Sequence, residues 1–188
     1  MASVAELVED VAKIMGERVE TVNAYARALI DAGELPKSRG RAIAQVTTKD
    51  IAVLFTAVAL EPKIKDVSQV VSDYLSMGLA GVPIGAPDSI SFTALDWIKG
   101  ILEEIYSDPQ TDEDKAARKL RVDQEIVFVS NWPEIEVREA DQSTIVRFKR
   151  GSALFWNGYH KRTTVLSCRA FLLLGFDNNR SYINQADA

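Results

Sequence analysis

The chain has 188 residues, 47% hydrophobic and 26% charged, with a net charge of −5. That composition fits one folded domain or two small ones and excludes a low-complexity or fibrous chain. One cysteine and one histidine exclude an internal disulfide and a cysteine zinc cluster, and the acidic balance argues against a non-specific nucleic-acid coat while leaving room for a local basic surface.

The opening MASVAELVEDVAK has no basic region followed by an apolar core, so it does not read as a signal peptide. No apolar run approaches the roughly 18–20 residues of a membrane span. The expectation is a cytoplasmic, reducing setting without a membrane partner. Ser3-Val4-Ala5-Glu6 is a capping box. Apolar residues recur from Val4 through Leu7, Val8, Val11, Ile14 and Met15 at helical spacing, and Gly16 ends the run. A second helical stripe follows at once: Val19, Val22, Ala26, Leu29 and Ile30, stopped by Gly33. Two short amphipathic helices joined by a few residues make a helix-turn-helix unit.

The face opposite the second stripe carries Arg18, Glu20, Thr21, Asn23, Ala24 and Arg27. Arg pairs guanine edges, Asn pairs adenine edges, and a small Ala permits close approach to a groove. A solvated helix face draws the same residue types. Beyond it, GELPKSRGRAIAQVTTKD gathers Lys37, Arg39, Arg41 and Lys49, with acids only at Glu34 and Asp50. Lys37-Ser38-Arg39-Gly40-Arg41 reads as a turn. Ala42 to Val46 alternates like a short strand, and Thr47 or Thr48 caps a helix from Lys49 to about Leu60 on Ile51, Leu54, Phe55 and Val58. The order is helix, turn, helix, small β-wing, helix. A wing with a basic tip beside a groove-reading helix clamps the phosphate backbone.

The run VETVNAYARALIDAGELPKSRGRAIAQVTTKDIAVLFTAVAL resembles the N-terminal winged-helix unit of small phage-derived regulators of alphaproteobacteria, some of which activate gene transfer agents. It is similar, more distantly, to the winged helix of MerR-type proteins, although no long dimerising helix follows it. The likeness covers roughly the first 60 residues. It implies DNA contacts at Tyr25, Arg27, Lys37, Arg39 and Arg41, and it favours a transcriptional activator over a repressor.

After Pro62 a helical stripe on Val67, Val70, Val71, Tyr74 and Leu75 predicts a helix from about Lys63 to Met77. The Gly- and Pro-rich segment from Gly78 to Pro87 lacks the Gly-Lys-Ser/Thr ending of a phosphate loop and reads as a connector. A further helix is predicted on Leu95, Trp97, Ile98, Ile101, Leu102, Ile105 and Tyr106. The stretch from Asp108 to Asp114, acidic and holding Pro109, marks a boundary, with a short helix through Leu120. The last third alternates with period two, and strands are predicted over 122–129, 135–138, 144–149 and 164–174. From Gln142 to Arg169 there is no acid. Arg147, Lys149, Arg150, Lys161, Arg162 and Arg169 are interleaved with Phe148, Phe155, Trp156 and Tyr159. Such a mixture binds single strands by stacking, or it forms a solvated sheet edge over core aromatics; the second reading is preferred here.

Cys168, inside a strand-like run, reads as buried filler rather than as the nucleophile of a dyad with His160. No metal-ligating cluster and no nucleophile elbow appears, so neither a catalytic site nor a cofactor is expected. The combined expectation is an α+β protein in three parts: a winged helix-turn-helix over 1–60, a helical region over 61–120, and an antiparallel β unit over 121–188. Its function would be sequence-specific binding of double-stranded DNA through Arg18, Thr21, Asn23, Tyr25, Arg27, Lys37, Ser38, Arg39 and Arg41, in a nucleoid-associated regulator. The β unit would form a homodimer or contact RNA polymerase, a sigma factor or a DNA-bending protein. The alternatives are a small-terminase-like packaging DNA recogniser, a transcriptional repressor, and a protein-interaction adaptor that keeps the helix-turn-helix as scaffold.

Overall fold

In the computed structural model the described residues are 3–38, 44–80, 82, 87, 92–149 and 161–174. Four helices start on the same local device, a hydroxyl at the cap and an acid three residues on, each holding the other's backbone N–H. These are α1 (Val4–Met15, capped by Ser3 and Glu6), α3 (Thr48–Leu60, Thr47 and Asp50), α5 (Ala94–Tyr106, Thr93 and Asp96) and α6 (Asp112–Val122, Thr111 and Asp114). Helix α2 (Val19–Asp31) begins at Arg18 with no side-chain cap. The expected helix after Pro62 is divided into a 3-10 turn, Ile64–Asp66, and α4, Val67–Leu75.

The strands are β1 (Gly78–Leu79), β2 (Glu125–Val129), β3 (Glu134–Arg138), β4 (Thr144–Lys149) and β5 (Thr163–Ser167). They form one antiparallel sheet in the order β1-β4-β3-β2-β5. The protein is therefore mixed α+β. The Gly-rich connector contributes more than a link, because Gly78 and Leu79 pair with Lys149 and Phe148 at the sheet margin.

The strand predicted over 164–174 stops at Ser167, and Cys168–Leu173 is a 3-10 helix. Its buried residues Cys168 and Phe171, and Leu174 at its end, recur every third position, the repeat of that helix. The Phe171 ring meets Phe55 of α3 edge-on at 5.2 Å, and its carbonyl accepts from the Tyr106 hydroxyl at 3.0 Å. Val122 likewise ends α6 instead of opening a strand.

Helix α3 is the centre of the molecule. Every residue from Asp50 to Leu60 is buried, and α3 touches α1, α2, α4, α5, β2 and β5. It ends at Glu61, a non-glycine residue in the left-handed region (φ 47°) just before Pro62. One apolar cluster runs without a break from Leu7 and Leu29 through Phe55 to Ile126, Phe148 and Phe171. The ranges 1–60, 61–120 and 121–188 thus share a core. The acidic stretch at 108–114 is the cap of α6, which folds back on α5 through Arg118 Nε donating to the Ile105 carbonyl (2.7 Å) and an Arg121–Glu104 ion pair (2.6 Å). Among the described residues no helix is long and apolar enough to cross a membrane.

Candidate nucleic-acid interface

Helices α1 and α2 are joined by Gly16, Glu17 and Arg18. Gly16 takes the left-handed conformation (φ 70°) that ends α1, a turn that a side chain at this position would strain. The Arg18 carbonyl then accepts from Thr21 and Val22 to start α2. Helix α2 buries Val22, Tyr25, Ala26 and Leu29. Arg18 and Arg27 are exposed, and Thr21, Asn23 and Ala24 are half-buried.

Tyr25 requires a correction. The resemblance implied a place at DNA, but the ring is 7% exposed and belongs to the core. Its hydroxyl donates to the Pro62 carbonyl at 3.1 Å, tying α2 to the end of α3. Burial, followed by Glu61 and Glu17, raises its pKa. The helical period explains this: Tyr25 lies three residues from Val22 and four from Leu29, on the apolar stripe.

After α2 the chain turns at Gly33 (φ 81°). Leu35 is buried, and Lys37 and Ser38 are exposed. The Ser38 Oγ accepts from the Ala44 backbone N–H at 3.1 Å, and Gln45 forms an antiparallel bridge with Ser3, the cap of α1. Ala44 is thereby held beside Ser38, and Gln45 beside the start of the first helix. Arg39 and Arg41, and the first half of the expected strand, lie outside the described residues. Lys49 is not part of a free basic cluster, because it pairs with Glu34 at 3.7 Å. The exposed surface of α2 also carries Glu20 and Asp31.

The second basic stretch resolves differently. Alternation sends Ile135, Val137 and Phe148 into the core and turns Glu134, Glu136, Arg147 and Lys149 to the other face, where the register pairs Glu134 with Lys149 and Glu136 with Arg147. Both carboxylates are only 1% exposed. Lys161 Nζ donates to Glu134 Oε2 (3.0 Å) and Glu136 Oε1 (3.3 Å). Lys149 Nζ lies 3.3 Å from Glu134 Oε1, Arg147 Nε lies 3.3 Å from Glu136 Oε1, and Arg138 Nε donates to Glu136 Oε2 at 3.0 Å. Burial works to raise the Glu136 carboxyl, but Arg138, Lys161 and Arg147 outweigh it and hold it at about 2. Arg169 pairs with Asp123 at 3.1 Å.

The sequence shows Glu134, Glu136 and Glu139 flanking the 135–138 strand and an acid-free basic span after it, but the pairing of the two was not read from it. The signal was present as Glu134-x-Glu136-x-Arg138 against Arg147-x-Lys149, two alternating rows at hairpin distance.

Cys168 is fully buried, and burial pushes its thiol up to about 12, so it stays a neutral filler. His160 lies outside the described residues. Among those residues no group of three potential metal ligands occurs. No family model, curated protein or solved structure matches the chain.

Proposed function

We propose that the chain is a sequence-specific double-stranded DNA-binding transcription regulator. Helix α2 would enter the major groove, and the turn after it would grip phosphate. The observation that carries this reading is the tie among Ser3, Ser38, Ala44 and Gln45. It holds Ser38 beside Ala44 and Gln45 beside the start of α1, next to a helix pair in which Arg18 and Arg27 are exposed, with Thr21 and Asn23 half-buried. A phosphate clamp needs that arrangement, since backbone contacts set register and a helix face reads bases. The resemblance of residues 19–60 adds the class of target, phage-derived or gene transfer agent genes, and favours activation. Tyr25 drops out of the contact set and becomes a support for α2.

Binding-site selection followed by anisotropy titration tests the proposal. Asn23→Ala and Arg27→Ala are expected to cost roughly 1–3 kcal/mol on the selected duplex and far less on random duplex. A protein that retards no duplex at low salt is not a DNA-binding regulator.

A further inference from the structure

The sheet has two edges, and they are built differently. At one, the Ala80 N–H donates to the Arg147 carbonyl at 2.8 Å, β1 covers the end of β4, and a register shift at Val137/Arg138 interrupts the ladder behind it. A partner strand and a bulge are two ordinary protections of an edge. At the other edge lies β5. It has no bulge and no proline, and among the described residues it pairs only with β2.

The pairing with β2 fixes where each amide of β5 points. Ser130 donates to the Arg162 carbonyl and Cys168 donates to the Gln124 carbonyl, both at 2.9 Å. Even-numbered residues of β5 therefore face β2. In an antiparallel ladder the residues between them face the other way, so the N–H and C=O groups of Thr163, Val165 and Ser167 point off the sheet. All three residues are exposed, Val165 by 50%.

We propose that this edge pairs with the same edge of a second copy of the chain, antiparallel, about a two-fold axis through Val165. Val165 then faces Val165 of the second copy, and Thr163 faces Ser167 of the second copy. Each of these pairs exchanges both backbone hydrogen bonds, and the two sheets become one. A two-fold contact must be self-complementary, and this strand is: valine meets valine, and hydroxyl meets hydroxyl.

Charge points to the same occupant. Each chain carries −5, which opposes self-association over most of the surface, but residues 163–167 bear no charge. Arg162 is the exposed cation next to the strand, and Lys161 and Arg169 lie just beyond it; of these, two pair within their own chain, Lys161 with Glu134 and Glu136 and Arg169 with Asp123. A five-residue strand alone is small for a stable interface. The inference stands on the sheet edge and does not need the DNA reading.

Cysteine scanning of the full chain tests it without DNA. In the proposed pairing the Val165 Cα atoms lie about 5.5 Å apart, inside disulfide reach. The Thr163 Cα atoms are offset by four residues, roughly 13 Å, and are out of reach. Val165→Cys should cross-link to a dimer on mild oxidation, and Thr163→Cys should not. Thr163→Cys combined with Ser167→Cys should restore the product. The parent chain, with Cys168 buried, should remain uncrosslinked. In sedimentation the parent should dimerise with concentration, and Val165→Lys, which sets like charges face to face, should weaken the dimer by about tenfold or more at an unchanged melting temperature. Equal cross-linking at 163 and 165, a parent chain monomeric at every concentration, or a Val165→Lys dimer as tight as the parent's would each overturn the proposal.

Discussion

Residues 33–49 and 142–169 are both basic stretches of an acidic chain, but their cations have different neighbours. In the second, Arg147, Lys149 and Lys161 converge on Glu134 and Glu136, which come from the adjacent strand and are buried. In the first, Lys49 is held by Glu34, while exposed Lys37 has no ion pair among the described residues. An acid-free run is therefore not the same as free positive charge. A strand's charges can be balanced across the ladder by residues distant in sequence.

Stability should break this comparison most clearly. Among the described residues Lys161 is the single ammonium paired with both buried carboxylates. Lys161→Met is expected to cost roughly 1–2 kcal/mol, because two buried carboxylates lose one of their compensating cations, a loss discounted because the ammonium is itself partly exposed. Lys37→Met, the matched change in the other stretch, should cost less than about 0.5 kcal/mol. Denaturant unfolding checks both, and equal losses would erase the distinction.

Salt dependence comes next. If the turn grips phosphate, Lys37→Ala, Arg39→Ala and Arg41→Ala together should flatten the log–log slope of DNA affinity against salt by roughly two to three units. Arg147→Ala should leave the slope unchanged, since its guanidinium serves the sheet carboxylates. A slope that responds to Arg147 and ignores the triple change would move the DNA contact to the sheet.

Acid should sharpen the contrast further. The folded Glu136 carboxyl is held at about 2, below its ordinary value of 4.5. Its contribution is therefore complete above that ordinary value and is lost as pH falls through about 2. Circular dichroism against pH should show the Lys161→Met protein losing structure at a higher pH than its parent, with no such displacement in the turn variants.

The most local effect is expected at Ser38. Ser38→Ala removes the acceptor of the Ala44 N–H, a loss of about 1 kcal/mol confined to the base of the turn. DNA affinity should fall modestly with the salt slope intact, and the melting temperature should barely move. A slope change equal to that of a lysine would make Ser38 a direct phosphate ligand.

Much of the local structure was legible in the residues themselves. Ser3 with Glu6 announced the first helix, because a cap and its acid meet within one turn, and Thr47 or Thr48 with Asp50 announced the third, the structure choosing Thr47. The strand at 144–149 and the burial of Cys168 followed from short-range periodicity and from the apolar run around the thiol. The apolar stripe of α2 was visible too. Its geometry already placed Tyr25 inward, although the family likeness pulled that residue toward DNA.

Only the tertiary structure decided the rest. Four positions of α3, Ile51, Leu54, Phe55 and Val58, suggested a helix with one apolar face, but its whole circumference is covered by elements from both ends of the chain. The Phe55–Phe171 contact joins residues that no local pattern connects, and it dissolves the boundary that Pro109 and its acidic neighbours suggested. The partners of Glu134 and Glu136, and the outward amides of β5, depend on strand order and register. Those are long-range choices, set by which faces can be buried together, and the sequence determines them only through the assembled core.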